Sequence, residues 1–436
     1  MTSRRARPTP GSRSLHLVSG CGSSAPATVP GGAGASSAGD EAVASAHRAP
    51  VKFHAPEILF GVGALAEAGY AARRLGAVRP LVVTDEGLLT TPWVDELLTH
   101  LRQAGLHPSV WAGLTPNPKD HEVRAGTRHY REHGADVLIA LGGGSCIDAA
   151  KAIAIMAADG GDILGCDGID QVGGPIPPML MIPSTAGTGA DVSQFCIVTD
   201  TARAVKMSIM GRALVPDISL TDPRLLTTMS PELNAATGFD ALTHAIEAYV
   251  SLAHNPLADV HALNAFRLIA ENLRPSLTSS TGLDGHAAMA QASLEAGLAF
   301  SNAILGAVHA MAHQVGGLTD APHGMVNAVL LPHVVRYNAG VDEAGQDNTA
   351  CTARYADLAA AAGLVGRSPQ AAADRLADWA GTLAADLDLP TRLACFGVRP
   401  GDVDDLADTT LTDACLATNP RPAGHREIAG LLREAL

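Results

Sequence analysis

Three histidines lie close together in the stretch from Ser301 to Asn338. His309 and His313 are four residues apart in an apolar run without proline, so a helix would place both on one face. His323 follows in the sequence Ala-Pro-His-Gly, where proline and glycine favour a turn and the start of a new helix. Imidazole is the commonest side-chain ligand of transition metals. The spacing therefore indicates a metal site, although ordinary helix histidines would produce the same pattern.

A second pair of candidate ligands lies upstream, in the sequence ATGFDALTHAIEAYV at positions 236–250. Asp240 and His244 are four residues apart and would share a helix face. A buried carboxylate beside a buried histidine costs free energy unless it is paired or bound to a metal. One carboxylate with two or three imidazoles is a ligand set for a divalent first-row metal, and iron and zinc both accept it. Glu247, one turn further on, weakens the prediction that this face points inward.

A glycine-rich run at 142–145, with the sequence GGGS, follows a buried apolar segment and precedes a helical pattern. Glycines at such a position let backbone amides approach a pyrophosphate at a helix N-terminus. The run lacks the GxGxxG spacing, so a plain strand-to-helix turn explains it equally well. A second run, PSTAGTG at 183–189, offers hydroxyls and flexible backbone after the next apolar segment. Together the two runs indicate a nucleotide site at the carboxyl ends of parallel strands.

The pieces GFDALTHAIEAYV, VHAMAHQVGG and APHGMVNAVLLPHVVRYN resemble the iron-containing (group III) alcohol dehydrogenases. The resemblance extends from about Phe53 to the C-terminus. It implies that His313 lines the site near the nicotinamide without binding the metal. It implies metal ligation by Asp240, His244, His309 and His323. It also implies dinucleotide contacts from Asp85, Asn117, Gly143, Gly144, Ser145, Asp148, Ser184, Thr185, Thr188 and Lys206, where Ser184 stands at a position that is often threonine in the family.

Some of these residues have alternative explanations from the sequence alone. Asp85 ends a buried strand, where a carboxylate can accept hydrogen bonds from ribose hydroxyls and repel a 2′-phosphate, so we expect NAD and not NADP. It could equally be a turn aspartate. Asp148 is either a cofactor contact or a first-turn acid that the helix dipole stabilises. Lys206 would, without the resemblance, be interpreted as a solvated surface lysine.

The composition excludes several classes of protein. A formal net charge of −14 argues against a nucleic-acid partner, and no apolar run approaches the roughly 20 residues of a membrane span. Seven cysteines without a CxxC pair indicate reduced thiols and a cytoplasmic protein. The resemblance, and not the composition, implies a small alcohol or aldehyde as the partner. The resemblance adds a homo-oligomer.

The chain divides into three parts. Residues 1–50 are rich in Ser, Ala, Gly, Pro and Arg without periodicity, which predicts a disordered low-complexity tail. Arg4-Arg5 and the box ending at Cys21 suggest export, but the apolar segment before Cys21 is too short for a signal peptide. Short apolar strands at 81–84, 137–141 and 179–182 predict an α/β dinucleotide-binding domain over 51–223, with a parallel sheet covered on both faces.

Residues 224–436 predict an all-helical metal-binding domain, because alanine-rich amphipathic stretches follow one another there. These stretches are separated by prolines, namely Pro256, Pro275, Pro332, Pro369 and Pro390. The resemblance implies a dehydroquinate synthase-like fold for the two domains together.

The sequence thus predicts a metal-dependent, NAD-linked alcohol dehydrogenase or aldehyde reductase. Hydride would pass between a primary alcohol bound to Fe²⁺ and NAD, with Zn²⁺ as an alternative metal and His313 as the proton relay. Three alternatives stay open: a zinc polyol dehydrogenase or dehydroquinate synthase-like enzyme, a related enzyme with tightly bound nicotinamide, and a non-catalytic nucleotide-binding protein. Small or polar residues between Thr188 and Ile197, around Asn302 and from Leu318 to Asp320 permit short aliphatic alcohols, diols, or a phosphonate- or carboxylate-bearing aldehyde.

Overall fold

In the computed structural model, the described residues are 51–159, 161–203, 205–277, 282–340 and 348–436. The predicted tail at 1–50, including the arginine pair and Cys21, lies outside this part of the chain. Residues Pro50–Leu436 form one compact unit. The predicted division of this unit near residue 223 stays a prediction, although strands lie before that position and long helices after it.

The first half is organised around a six-stranded sheet in which every neighbouring pair is parallel. In spatial order its strands are β1 (Glu57–Phe60), β9 (Ile218–Thr221), β6 (Met179–Pro183), β4 (Leu138–Gly142), β2 (Leu81–Val83) and β3 (Ser109–Trp111). Helices interleave with the strands: α1 (Ala68–Arg74), α2 (Glu86–Leu89), α3 (Pro92–Gln103), α4 (Asp120–Glu132) and α5 (Gly144–Asp159). The predicted α/β fold is confirmed.

Alternation along the central strands gives each face of the sheet its own core. Leu81 and Val83 of β2 enter one apolar cluster, whereas Val82 between them enters another. Strands β2, β4 and β6 are buried along their whole length. In the sequence, parallel strands that are covered on both faces appear as continuous apolar runs. This is why the three predicted strand segments match the observed ones to within a residue or two.

A second, three-stranded sheet was not predicted. It contains β5 (Gly168–Ile169), β8 (Val205–Met210) and β7 (Phe195–Asp200), and β7 and β8 run antiparallel. Its burial alternates only weakly with sequence, so the period of two that marks a half-buried strand is faint. The small sheet matters for the site because β8 carries Lys206.

Nine helices occupy the described residues after 230: α6 (Pro231–Val250), α7 (Pro256–Ser276), α8 (Gly282–Ala303), α9 (Ala307–Thr319), α10 (His323–Ala339), α11 (Thr349–Ala361), α12 (Pro369–Asp386), α13 (Val403–Thr410) and α14 (His425–Glu434). Helix α6 packs against α7, α8 and α10 and is buried without interruption from Phe239 to Val250. A helix buried all round must give each of its polar side chains a partner.

The prolines separate the helices less strictly than the sequence suggested. Pro256 and Pro369 occupy the first position of α7 and α12, where a missing amide hydrogen costs nothing. Pro275 and Pro332 instead lie inside α7 and α10. Burial of these helices by their neighbours outweighs the lost hydrogen bond. No single described helix is long and apolar enough to cross a membrane; α8 and α9 pass that test only as a pair, across a bend of 102°.

Candidate functional site

A cleft of about 1140 Å³ lies between the carboxyl ends of the parallel strands and the helices that follow. Loops after β2, β4 and β6 contribute one wall, and α6, α9 and the start of α10 contribute the other. The lining includes every residue that the sequence assigned to metal, cofactor or catalysis: Asp85, Asn117, Gly143, Gly144, Ser145, Asp148, Ser184, Thr185, Thr188, Lys206, Asp240, His244, His309, His313 and His323.

The four predicted metal ligands surround one carboxylate oxygen. Asp240 Oδ1 lies 3.6 Å from Nε2 of His309 and 3.8 Å from Nε2 of both His244 and His323. The ligand atoms of Asp240, His244 and His309 are all within 4.8 Å of one another. His323 completes the group, because it begins α10 directly after Pro322, as the sequence predicted.

These distances fit a shared metal ion better than direct hydrogen bonds. Metal–ligand bonds of about 2.0–2.2 Å separate neighbouring ligand atoms by roughly 3.3–3.6 Å in a tetrahedral site. The side-chain Nδ2 of Asn327 also approaches this point; it donates to Asp240 Oδ1 at 2.8 Å and lies 3.3 Å from His309 Nε2. The acceptor atoms of Asp240 and His309 therefore face the same small volume. The donor set of one carboxylate and three imidazoles suits Fe²⁺ or Zn²⁺.

Two neighbours hold the outer nitrogens of the rings. His309 Nδ1 donates to Glu247 Oε2 at 2.6 Å, and His244 Nδ1 lies 3.2 Å from the carbonyl oxygen of Gly187. Glu247 is itself fixed by the backbone amide of Val308 at 2.7 Å. An acceptor on Nδ1 leaves Nε2 with the lone pair that a metal needs. This role of Glu247 was not predicted from the sequence, although its spacing from Asp240 puts both residues on one helix face.

The charges of this cluster are strongly coupled. Burial disfavours the charged form of Asp240, but the surrounding histidines outweigh burial and lower its pKa. Burial also lowers the pKa of His309, but Asp240 and Glu247 outweigh it and raise that pKa to about 9. For His244, burial dominates and lowers the pKa to about 4. The site thus concentrates negative charge around the histidine at its centre, which favours a bound cation.

The glycine turn packs against the serine- and threonine-rich loop. A Cβ on Gly144 would lie 2.6 Å from Thr188 Cγ2, and one on Gly143 would lie 3.2 Å from Thr185 Cγ2. Only glycine permits the approach at Gly144, because real Cβ atoms do not come so close, and at Gly143 a side chain would force Thr185 to shift. The two loops therefore form one surface at the N-terminus of α5, where backbone amides and the helix dipole favour a phosphate group.

Asn117, Lys206 and Asp320 form a chain across the cleft. Lys206 Nζ donates to Asn117 Oδ1 at 2.8 Å, and Asn117 Nδ2 donates to Asp320 Oδ1 at 2.5 Å. Asn117 and Asp320 both have left-handed backbone, with φ of 57° and 54°. Burial lowers the pKa of Lys206 to about 8. Lys206 is therefore a buried cation facing the cleft, unlike the surface lysine that the sequence alone suggested.

Asp85 and Asp148 have protein partners in addition to facing the cleft. Asp85 Oδ1 accepts from the Leu88 amide at 2.9 Å, capping α2, and its Oδ2 accepts from the Cys146 thiol at 3.3 Å. Asp148 lies near the fully buried Lys151, and burial raises its pKa to about 7. The turn-aspartate explanation of Asp85 is thus compatible with its structure, as is a role at the cofactor.

Lys151 is a structural feature that the sequence did not reveal. Its Nζ donates to the carbonyl oxygens of Ser193 at 2.7 Å and Phe195 at 2.8 Å. It thereby joins α5 to the start of β7. A lysine at zero exposure needs such partners, because an unpaired buried ammonium group is very costly.

The wall near the metal ligands is apolar, and part of the sequence-based pocket lies elsewhere. Phe300 stacks on the ring of His244 at 4.4 Å, with Leu305 nearby in the cleft lining. Asn302 does not line the cleft, because its side chain is bonded to the backbone of His54 at 2.7 and 2.9 Å. Leu318 is 52% exposed and is likewise absent from the lining.

Comparisons with known proteins agree with this geometry. Residues 55–223 match the model of the family described as iron-containing alcohol dehydrogenase, and residues 234–436 match the C-terminal part of the Fe-containing alcohol dehydrogenase family. A 1,3-propanediol dehydrogenase from Citrobacter freundii is 42% identical over 380 residues, which are 86% of this chain and 96% of that protein. An NAD-dependent methanol dehydrogenase from Bacillus methanolicus is 36% identical, over 88% of this chain and 99% of that protein.

A solved structure described as 1,3-propanediol oxidoreductase superposes with a TM-score of 0.84 at 40% identity, covering 89% of this chain and all of that one. The fold and the cleft are those of a metal-dependent dehydrogenase. The chain belongs to the iron-containing alcohol dehydrogenase family. Its activity is that of an NAD-linked alcohol dehydrogenase or aldehyde reductase, and the family implies a metal and NAD as cofactors.

Proposed function

We propose that this protein interconverts a short primary alcohol or diol and its aldehyde, with Fe²⁺ held by Asp240, His244, His309 and His323. One observation carries the proposal: the four candidate ligands and the two dinucleotide-type loops line a single cleft. A divalent metal at this position supplies Lewis acidity to the alcohol oxygen, and NAD supplies the acceptor for hydride. The relatives named for propanediol and methanol support a small substrate.

The chain's own residues contribute binding and proton transfer. Phe300 and Leu305 form an apolar wall beside the ligands, which suits the carbon chain of the substrate and limits water near it. His313 is 7% exposed and lines the cleft, where it can receive the proton that the alcohol loses. Lys206 and Asn117, which line the cleft, would hold the ribose of NAD, and the glycine turn at Gly144 would hold its phosphates.

Asp85 supports a preference for NAD over NADP. Its carboxylate stands at the end of β2 in the cleft lining, where it would repel a 2′-phosphate. We expect Asp85→Asn to raise kcat/KM for NADP relative to NAD, since it removes the negative charge and keeps the oxygen that caps α2. An unchanged ratio would assign Asp85 to the cap alone.

The test is an anaerobic substrate screen with metal-free protein reloaded with Fe²⁺ or Zn²⁺. Reduction of NAD would be followed with methanol, propan-1-ol and 1,3-propanediol, and the reverse reaction with the aldehydes. Turnover with Fe²⁺ exceeding that with Zn²⁺ supports the proposal, and the opposite order would make this a zinc enzyme on the same fold. Reduced-nicotinamide absorbance in the protein as purified would indicate a tightly held cofactor. No turnover with any alcohol or aldehyde would refute the proposal.

We further propose that the enzyme works in the cytoplasm as a homo-oligomer. The thiols of Cys146, Cys196, Cys351, Cys395 and Cys415 are free, which suits a reducing compartment. Light scattering on the purified protein measures the oligomeric state directly.

A further inference from the structure

The ring of His313 is held by an acid from the far end of the chain. His313 Nδ1 lies 2.9 Å from Asp413 Oδ2, and the two residues are 100 positions apart. The side chains are only 9% and 4% exposed. Asp413 stands after α13, at the start of a short 3₁₀ turn, Ala414–Thr418. No sequence motif considered above includes it.

Asp413 is itself fixed in place and charged. The backbone amide of Cys415 donates to its Oδ1 at 2.9 Å, and Gln314 Nε2 donates to its Oδ2 at 3.3 Å. Burial raises its pKa, but His313 and the donors at Cys415 outweigh burial and lower it. An ionised carboxylate accepts hydrogen bonds and cannot donate them. The proton in this contact therefore belongs to His313 Nδ1.

A proton on Nδ1 leaves the lone pair on Nε2 of a neutral imidazole. Among the described residues, His313 Nε2 has no hydrogen-bond partner, and the ring lines the cleft. The ring stacks on that of His323, with centroids 5.3 Å apart and planes 12° apart. His313 thus presents Nε2 beside a candidate metal ligand, and the hydrogen bond from its Nδ1 to Asp413 sets the orientation of the ring.

We propose that Asp413 is a positioning residue that selects the Nδ1–H tautomer of His313 and turns Nε2 toward the substrate. The inference rests on the proposed function, in which alcohol and NAD give aldehyde, NADH and one proton. The carbinol C–H bond breaks with its electron pair passing to the nicotinamide. The O–H proton passes to His313 Nε2 and then to solvent. Asp413 touches neither reactant and acts only through the imidazole.

The same three residues, His313, Asp413 and Cys415, also have ligand atoms within 4.8 Å of one another. A second metal site is the alternative explanation. The contact of 2.9 Å between Nδ1 and Oδ2 has hydrogen-bond length, and it is shorter than the roughly 3.3–3.6 Å that separates two ligand atoms of one tetrahedral metal ion. The geometry therefore favours a hydrogen-bonded triad.

Asp413→Asn tests the inference. The amide keeps an oxygen for the Cys415 cap, but its NH₂ group donates to Nδ1 and drives the proton to Nε2. We expect kcat to fall at least about tenfold, with bound metal and KM for NAD unchanged, since a positioned base contributes about 10²–10⁴-fold. Asp413→Ala, which leaves both tautomers accessible, should lose less. The matched control is Asp402→Asn. The Asp402 carboxylate accepts from the Arg399 amide at 2.8 Å and so caps another 3₁₀ turn, Pro400–Asp402, away from the cleft lining.

A second measurement does not depend on turnover or on any change at Asp413. In ¹⁵N-histidine-labelled, Zn²⁺-loaded wild-type protein, the His313 signal, identified by its loss in His313→Gln, should show Nδ1 protonated and Nε2 unprotonated. Nε2 protonated in the wild type would overturn the inference. So would wild-type kcat in metal-replete Asp413→Asn, or two metal equivalents in the wild type that fall to one in this variant. An inactive wild type would refute the proposed function and leave the tautomer result standing.

Discussion

Glu247→Gln should weaken metal binding without unfolding the protein. Glu247 is nearly the size of glutamine, so the packing of α6 is kept. Both carboxylate oxygens accept hydrogen bonds, one from the Val308 amide and the other from His309 Nδ1, whereas glutamine has one oxygen. With that oxygen at Val308, His309 Nδ1 loses its charged acceptor. The contact of 2.6 Å is a charge-assisted hydrogen bond between two buried groups. It makes Nε2 of His309 a better electron donor and fixes the plane of the ring.

Outer partners of metal-binding histidines typically contribute about 10–100-fold to metal affinity. We expect a loss in this range for Glu247→Gln, which corresponds to about 1.4–2.8 kcal/mol. The assay is competition for Zn²⁺ or anaerobic Fe²⁺ against a coloured chelator of known affinity, read without any substrate. Glu247→Ala should lose more, because it also leaves the amide of Val308 without its buried acceptor.

The matched control is Glu295→Gln. Glu295 is a partly buried acid of α8 that is held by Asn264 and Gln291 and does not line the cleft. The Glu295→Gln variant should bind the metal with wild-type affinity. If Glu247→Gln retains wild-type affinity while folded, the carboxylate does not tune His309, and its role is limited to capping the start of α9.

Three further variants test the NAD-binding wall of the cleft and the buried lysine that supports it. Because burial lowers the pKa of Lys206 to about 8, its charge should disappear between about pH 7 and pH 9, so KM for NAD should rise over this interval. Folding stability should rise with pH from about pH 8 towards pH 10.5, since over this interval the unfolded chain binds more protons at this lysine than the folded one. Lys206→Arg should flatten the KM profile. Gly144→Ala should raise the Kd for NAD about tenfold or more by forcing its Cβ against Thr188, whereas Gly165→Ala, which has open space, should not. Lys151→Met should lower the free energy of unfolding in urea by about 3 kcal/mol, because two buried carbonyls lose their donor.

Much of the scaffold follows from local patterns in the sequence. The central strands are uninterrupted apolar runs. Helices α6 and α9 show the four-residue spacings of Asp240 with His244 and of His309 with His313, and α10 begins after Pro322. These features depend on neighbours in the chain, which is why reading the sequence finds them. The antiparallel pair β7 and β8 carries no comparable period, so only the structure reveals it.

The parts of the site that sequence reasoning missed are partners, not reactive groups. Glu247 reaches His309 across 62 positions and Asp413 reaches His313 across 100. Nothing in the local pattern around either acid indicates the histidine it faces. The contacts exist because α6, α9 and the segment after α13 pack together. Lys151 is similar: its position on α5 was visible, but its burial against the start of β7 was not.

The carbonyl of Gly187 connects the two halves of the cleft in an unexpected way. Gly187 belongs to the loop that packs on the glycine turn, yet its oxygen faces His244 Nδ1, and its own Cα abuts Thr237 of α6. A loop made rigid by one ligand needs less ordering by the next, so ion and coenzyme should strengthen each other's affinity by the same factor. Loss of the ion would then also weaken coenzyme binding, so the supply of the metal would set the fraction of the enzyme that holds both cofactors.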